Sequence, residues 1–95
     1  MKQQNNPSQT EDIDIILSRL LRRAITGREV GHASILLAFI IVEKINTNNF
    51  KFYLTAEEVV KNLGVSRETY YKWLRALINK GYLTRIGTNY YVLNP

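Results

Sequence analysis

Residues 54–83, with the sequence LTAEEVVKNLGVSRETYYKWLRALINKGYL, decide the fold because they predict two helices joined by a tight turn. Thr55 and Glu58 have the spacing of a capping box, in which each side chain bonds the backbone amide of the other, so a helix begins here. Gly64 is placed to end that helix in a left-handed conformation, and Ser66 is the N-cap of the next helix. A turn of only about three residues forces the two helices to cross steeply, which exposes the second one.

The second helix is predicted over residues 67–80, and its two faces differ in chemistry. Tyr70, Leu74 and Leu77 recur at helical spacing and form the inner face. Trp73 needs an enlarged core or a partner surface for its large ring, and core packing is the favoured interpretation. The side chains expected on the outer, solvent-facing side are Arg67, Glu68, Tyr71, Lys72 and Arg75.

Strand-like segments lie on both sides of this helix pair. Residues 50–54 contain aromatic residues and predict a short first strand. Residues 82–86 and 89–93 are rich in aromatic and β-branched residues and flank a turn at Gly87 and Thr88, so they predict a hairpin.

The first half of the chain predicts a tail and two further helices. Residues 1–10 are polar and predict a flexible tail, and residues 11–95 predict a single domain. Residues 28–45 predict a helix surrounded by protein, although their β-branched content leaves a strand open. Residues 11–26 predict an amphipathic helix whose apolar stripe comprises Ile13, Ile16, Leu17, Leu20, Leu21, Ala24 and Ile25.

Composition limits the classes of function. The net charge is +5, and residues 51–95 carry seven basic and three acidic side chains, which is +4 of that total and favours a polyanionic partner. There is no cysteine, which excludes disulfides and thiolate metal sites. The longest apolar stretch, residues 35–42, is too short to cross a bilayer, and no signal peptide is evident. We therefore expect a cytoplasmic, nucleoid-associated protein without a membrane partner.

Three segments resemble the winged helix-turn-helix families of bacterial and archaeal regulators: LTAEEV (54–59), LGVSRET (63–69) and LRALINKGYL (74–83). They occur in the family's order and at its spacing, and the resemblance covers roughly residues 30–95. It implies a mainly α fold with a small β-hairpin (α+β), in the order helix, helix, strand, helix, turn, helix, hairpin. By association it implies DNA binding. The ending GTNYYVLNP (87–95) also resembles the wing of some plasmid replication and maintenance proteins.

The resemblance makes residues 67–80 a recognition helix that enters the major groove of double-stranded DNA. Arg67, Glu68 and Thr69 are best placed for base edges, because arginine grips guanine, glutamate accepts from cytosine and the threonine methyl meets thymine. Lys72 and Arg75 are expected to contact phosphates.

The hairpin, residues 82–94, would then be a wing that reaches the minor groove or the adjacent backbone. The alternative for each predicted contact is a solvated surface residue, and Tyr71 is compatible with a phosphate, a sugar or a thymine methyl. The complete set of predicted DNA-binding residues is Ser66, Arg67, Glu68, Thr69, Tyr71, Lys72, Arg75, Arg85, Thr88 and Asn89.

The helix at residues 11–26 is not needed by the helix-turn-helix, and a small domain need not cover its whole apolar stripe. We expect it to form a homodimer interface, which would let the protein contact two half-sites. The alternative is a helix folded back on its own core. The predicted interface residues are Ile13, Ile16, Leu17, Leu20 and Leu21.

The sequence argues against an enzyme. His32 is the sole histidine and has no cysteine or carboxylate cluster beside it, and no glycine-rich phosphate loop exists, so no cofactor, metal or small-molecule substrate is expected. The leading hypothesis is a sequence-specific double-stranded DNA binder that acts as a repressor or regulator of transcription in a mobile element such as a plasmid or virus. The alternatives are a plasmid replication or partition protein that binds centromere repeats, and a winged helix used only for protein interaction.

Overall fold

The computed structural model describes residues 6–95 of the chain, with side chains described from Asp12 onward. In this part of the chain the elements are α1 (Asn6–Gly27), α2 (Ala33–Phe39), β1 (Lys51–Tyr53), α3 (Ala56–Leu63), α4 (Arg67–Asn79), β2 (Leu83–Gly87) and β3 (Tyr90–Leu93). A π-helical segment, Ile40–Lys44, continues α2. The mainly helical architecture with a small antiparallel sheet confirms the predicted α+β winged-helix fold.

The turn between α3 and α4 is built by the residues that predicted it. The Glu58 backbone N–H donates to Thr55 Oγ1 over 3.3 Å, and the Thr55 N–H donates to Glu58 Oε2 over 3.2 Å, which completes the capping box. Gly64 ends α3 with φ +68°, and its N–H donates to the carbonyl of Val60. Ser66 begins α4 as its N-cap. The capping residues and Gly64 therefore determine where α3 ends and where α4 begins.

The three strands form one antiparallel sheet in the order β1-β3-β2. Lys51 pairs with Val92 and Tyr53 pairs with Tyr90, so the end of β1 lies beside the start of β3. β2 and β3 form the hairpin, with an irregularity in register between Arg85 and Gly87. Through this pairing β1 connects strand β3 of the hairpin to the segment that precedes α3.

The hydrophobic core joins the helices to one face of the sheet. Leu36 and Leu37 of α2, Val59 of α3 and Leu77 of α4 are fully buried. Tyr82, Leu83 and Leu93 close the core from the hairpin. Trp73 is partly buried and packs against this core, in agreement with the favoured interpretation. Burying one such leucine side chain contributes about 1.5–3 kcal/mol, so the position of α4 is held mainly by packing.

The N-terminal half differs from the sequence prediction in its boundaries. α1 begins at Asn6, so residues 6–10 are helical where a flexible tail was predicted, and residues 1–5 lie outside the described part. The second helix begins at Ala33 instead of residue 28, because Arg28 and Gly31 have positive φ angles that no α-helix accommodates. The rival strand interpretation of residues 28–45 is wrong. Among residues 6–95 no helix is long and apolar enough to span a membrane.

Candidate nucleic-acid interface

The outer face of α4 is a continuous exposed stripe. Glu68, Tyr71, Lys72 and Arg75 are exposed, while Tyr70, Leu74 and Leu77 on the other face are buried. The exposed residues follow one another at spacings of three, one and three, which places them on one side of the helix. Asn79 is exposed four residues after Arg75 and extends the stripe. The sequence prediction missed Asn79, although the same periodicity identifies it.

Ser66 and Thr69 are used by the cap of α4. The Thr69 backbone N–H donates to Ser66 Oγ over 3.0 Å, and Ser66 Oγ donates to Thr69 Oγ1 over the same distance. Thr69 is only half-exposed, whereas Ser66 is exposed. The two hydroxyl groups therefore hold the first turn of the helix in place, and only part of their hydrogen-bonding capacity is left for a ligand.

Arg67 is bound to a carboxylate of the preceding helix. Its Nη2 lies 2.8 Å from Glu57 Oε2, and both side chains are well exposed to solvent. The hydrogen bond from Arg67 lowers the pKa of the Glu57 carboxyl, and the carboxylate raises the pKa of the guanidinium. The sequence predicts Arg67 as a base contact and does not indicate a carboxylate partner for it. The structure brings them together across the α3–α4 turn, at the start of the exposed stripe.

Glu58 and Tyr70 support this surface from within. Besides closing the capping box, the Glu58 carboxylate accepts from Lys44 Nζ over 2.7 Å, which connects α3 to the π-helical segment. Burial, with a further contribution from the neighbouring Tyr91, raises the pKa of the Tyr70 phenol. The Tyr71 ring packs against the Tyr70 ring with 5.0 Å between centroids, so Tyr71 is held at the surface and remains about half exposed.

The wing presents one cation near a short turn. Arg85 and Thr88 are exposed, and Arg85 Nε donates weakly to the Gly87 carbonyl over 3.4 Å. Asn89 is only half-exposed and has φ +61°, and its carbonyl accepts from the Leu54 N–H over 2.8 Å. The predicted wing turn therefore lies one residue later, at Thr88 and Asn89, and Asn89 has a structural role in fixing that turn against the β1–α3 connection.

Positive charge on this side of the molecule is largely unneutralised by the protein. Among the side chains described, the ion pairs are Lys44–Glu58 and Arg67–Glu57. Lys72, Arg75 and Arg85 are exposed and take part in neither. Such cations are suited to phosphates, because displacing bound counterions from DNA favours their association.

The predicted dimer stripe on α1 is divided by the structure. Leu17 and Leu20 are buried in the core of their own chain, and Ile13 and Leu21 are partly buried against it. Ile16 is exposed. Leu17 and Leu20 are therefore buried within their own chain, whereas Ile16 is exposed, and the dimer interface on α1 stays a prediction.

The structure shows no metal-binding cluster in the part of the chain that it describes. No three side chains among histidine, cysteine, aspartate and glutamate cluster there in a way that would hold a metal ion. Glu57 and Glu58 point to separate partners, Arg67 and Lys44.

A capped helix pair joined by a tight turn and followed by a β-hairpin, with a third strand completing the sheet, defines a winged helix-turn-helix protein. Residues 51–95 match a family model described as sugar-specific transcriptional regulator TrmB. The matched region begins with β1, and it contains the whole helix-turn-helix and the wing. This match agrees with the winged helix-turn-helix fold, and it supports DNA binding in transcription regulation for this part of the chain. No curated protein and no solved structure matches the chain.

Proposed function

We propose that this protein is a sequence-specific regulator of transcription that binds double-stranded DNA with α4 in the major groove and acts as a repressor. The observation that carries the proposal is the exposed stripe of α4. Among the described residues Lys72 and Arg75 have no carboxylate partner, and the opposite face of the helix is buried in the core. A helix so placed has an unobstructed cationic side to present to a groove.

Arg67 and Glu68 are the proposed base contacts. Both stand in the first turn of α4, the part of a recognition helix that reaches base edges, and arginine is the side chain best suited to guanine. Glu57 holds the Arg67 guanidinium by one nitrogen, which limits its motion before DNA binds. Thr69 is suited to a methyl contact with thymine, and its hydroxyl, which accepts from Ser66, still has its own proton to donate.

Lys72, Arg75 and Arg85 are the proposed phosphate contacts. They lie on α4 and on the wing, so they are suited to backbones on either side of the groove that α4 enters. Tyr71 joins them through its hydroxyl. Thr88 is exposed at the wing turn and is suited to one further backbone contact, whereas Asn89 acts by shaping that turn.

We further propose that the protein binds its operator as a homodimer. Winged helices of this size gain affinity and specificity when two copies contact half-sites separated by about one turn of DNA or a multiple of it. The operator is then expected to have approximate two-fold symmetry.

The decisive test is selection of bound duplexes from a random pool with the wild-type chain and with Arg67→Ala. We expect the variant to lose preference at one position of each half-site, with a change of about 5- to 150-fold in discrimination against the wrong base. Lys51→Ala is the control, since Lys51 is an exposed cation at the start of β1, where it pairs with Val92 of β3 and lies away from the wing turn. An unchanged consensus for Arg67→Ala would place sequence recognition elsewhere, and no selected consensus in the wild type would refute the proposal.

A further inference from the structure

The helix α1 carries two separate seams of side chains. The inner seam, Leu17, Leu20 and Ala24, is buried in the core. A second seam consists of Ile15, Ser18, Arg22 and Ile25, whose spacings of three, four and three are those of the a and d positions of a coiled coil. We call these four residues the outer seam. All four are exposed, with 46% of Ile15 and 56% of Ile25 accessible, and shallow grooves run along them.

The outer seam is self-complementary about a single point. Ile15 and Ile25 lie at equal distances before and after Leu20 in the sequence, and so do Ser18 and Arg22. A two-fold axis at the level of Leu20 therefore brings Ile15 against the partner's Ile25 and Ser18 against the partner's Arg22. Such matching of a surface with itself is the requirement for a symmetric dimer interface.

The charges of α1 favour the same antiparallel arrangement. Asp12 and Asp14 lie before the midpoint, whereas Arg19, Arg22 and Arg23 lie mainly around and after it. Asp14 is one helical turn, about 6 Å, from Ser18, so the partner's Arg22 opposite Ser18 is within reach of its carboxylate. A parallel pair would instead align the aspartates with each other and the arginines with each other.

We propose that α1 packs antiparallel against α1 of a second copy of this chain through the outer seam. This gives the homodimer of the proposed function its interface, but the pairing itself requires no DNA. Because α2 packs against both α1 and α4, the second copy joins on the side of α1 that faces away from the core, and the exposed stripe of α4 stays free. The arginine at position 22 contributes its aliphatic stem to the contact and its charge to the rim.

The interface is small, with two isoleucines from each copy, so its dissociation constant is expected to be on the order of micromolar. Sedimentation velocity of the full chain without DNA, at about 1–200 μM, measures this association. Ile15→Asp is the test variant, because it puts a carboxylate opposite the partner's Ile25. Ile16→Asp is the matched control, since Ile16 is also exposed but lies outside the outer seam.

We expect Ile15→Asp to weaken association at least 10-fold and Ile16→Asp to leave it close to wild type, with both variants equally helical by circular dichroism. Orientation is tested by mixing chains with Ser18→Cys and Arg22→Cys, which is clean because the chain has no cysteine. With the two chains at equal concentration, mixed disulfide dimers should exceed either homodimer by well over the twofold ratio of random pairing after mild oxidation.

A monomeric wild type, a stronger effect of Ile16→Asp than of Ile15→Asp, or predominant Ser18→Cys homodimers would overturn the proposal. The DNA-binding proposal is judged separately, on a duplex with one half-site. There Ile15→Asp should bind like a wild-type protomer whatever its state of association, so a failure of DNA binding and a failure of pairing are distinguishable.

Discussion

Lys72→Ala is the substitution that most directly tests how α4 contacts DNA. Lys72 is exposed in the middle of α4 and has no carboxylate partner among the described residues. If Lys72, Arg75 and Arg85 each neutralise one phosphate, the affinity for one half-site should fall with salt at a log–log slope of about −2.7. Removing Lys72 should change that slope to about −1.8, because one fewer counterion is released.

The difference is measurable by fluorescence anisotropy with a labelled half-site duplex. Between 50 and 200 mM salt the wild type should lose affinity by about 40-fold and Lys72→Ala by about 12-fold. The loss caused by the substitution should be equal on specific and unrelated duplexes, since a phosphate contact carries no sequence information. Lys51→Ala is again the control and should keep the wild-type slope. Equal slopes for wild type and Lys72→Ala would refute the phosphate contact, and a flat wild-type slope would favour a protein-only role for the winged helix.

Three further measurements test the structure around α4. Gly64→Ala should lower the free energy of unfolding by about 1–2 kcal/mol in chemical denaturation, because φ is +68° while no atom lies close to the added methyl group. In an NMR titration the pKa of the Glu57 carboxyl should lie below its ordinary value, and it should rise toward that value in Arg67→Ala. The stability that this pair contributes is present above the ordinary glutamate pKa, and it is lost as the pH falls through the lowered pKa of Glu57. The raised pKa of Tyr70 predicts stability that is present below the ordinary phenol pKa and lost in strong alkali, so Tyr70→Phe should unfold less readily there than wild type.

The helix-turn-helix was predictable from sequence because its signals are local. A capping box, a left-handed glycine and an N-cap each depend on residues within one turn of the chain, and all three occur where predicted. The sequence did not predict which partners the hydroxyl groups at the start of α4 would bind. Ser66 and Thr69 bond to each other, and this reduces their availability for bases, a consequence of side-chain rotamers that residue type alone does not determine.

The start of the second helix was harder to predict, because the pattern of apolar residues does not show where the backbone φ angle becomes positive. Residues 28–32 contain an ordinary arginine with φ +59° as well as a glycine with φ +56°. The glycine was visible as a potential turn residue, but positive φ at Arg28 is uncommon for that residue type. The π-helical segment after Phe39 likewise has no signature in a run of aliphatic residues.

The division of α1 into a buried and an exposed seam is a matter of tertiary packing. Seven apolar residues at helical spacing indicate a broad stripe, but spacing alone does not determine how much of that stripe the rest of the domain covers. α2 covers Leu17, Leu20 and Ala24 and leaves Ile15, Ile16 and Ile25 in solvent. Ile15 was absent from the predicted interface because it lies one residue before Ile16, which turns its side chain about 100° around the helix from that residue.

The rotation of α4 about its own axis links the core to the DNA-binding surface. Tyr70, Leu74 and Leu77 are at most 6% exposed, and turning the helix by one residue, about 100°, would bring them out and carry Lys72 toward the core. Such a rotation would forfeit several kcal/mol of apolar burial, far more than any single surface contact supplies. The direction of the exposed stripe is therefore fixed before DNA binds. It follows that substitutions in the core alter binding through the folded population, whereas a change in operator preference requires substitutions on the stripe itself.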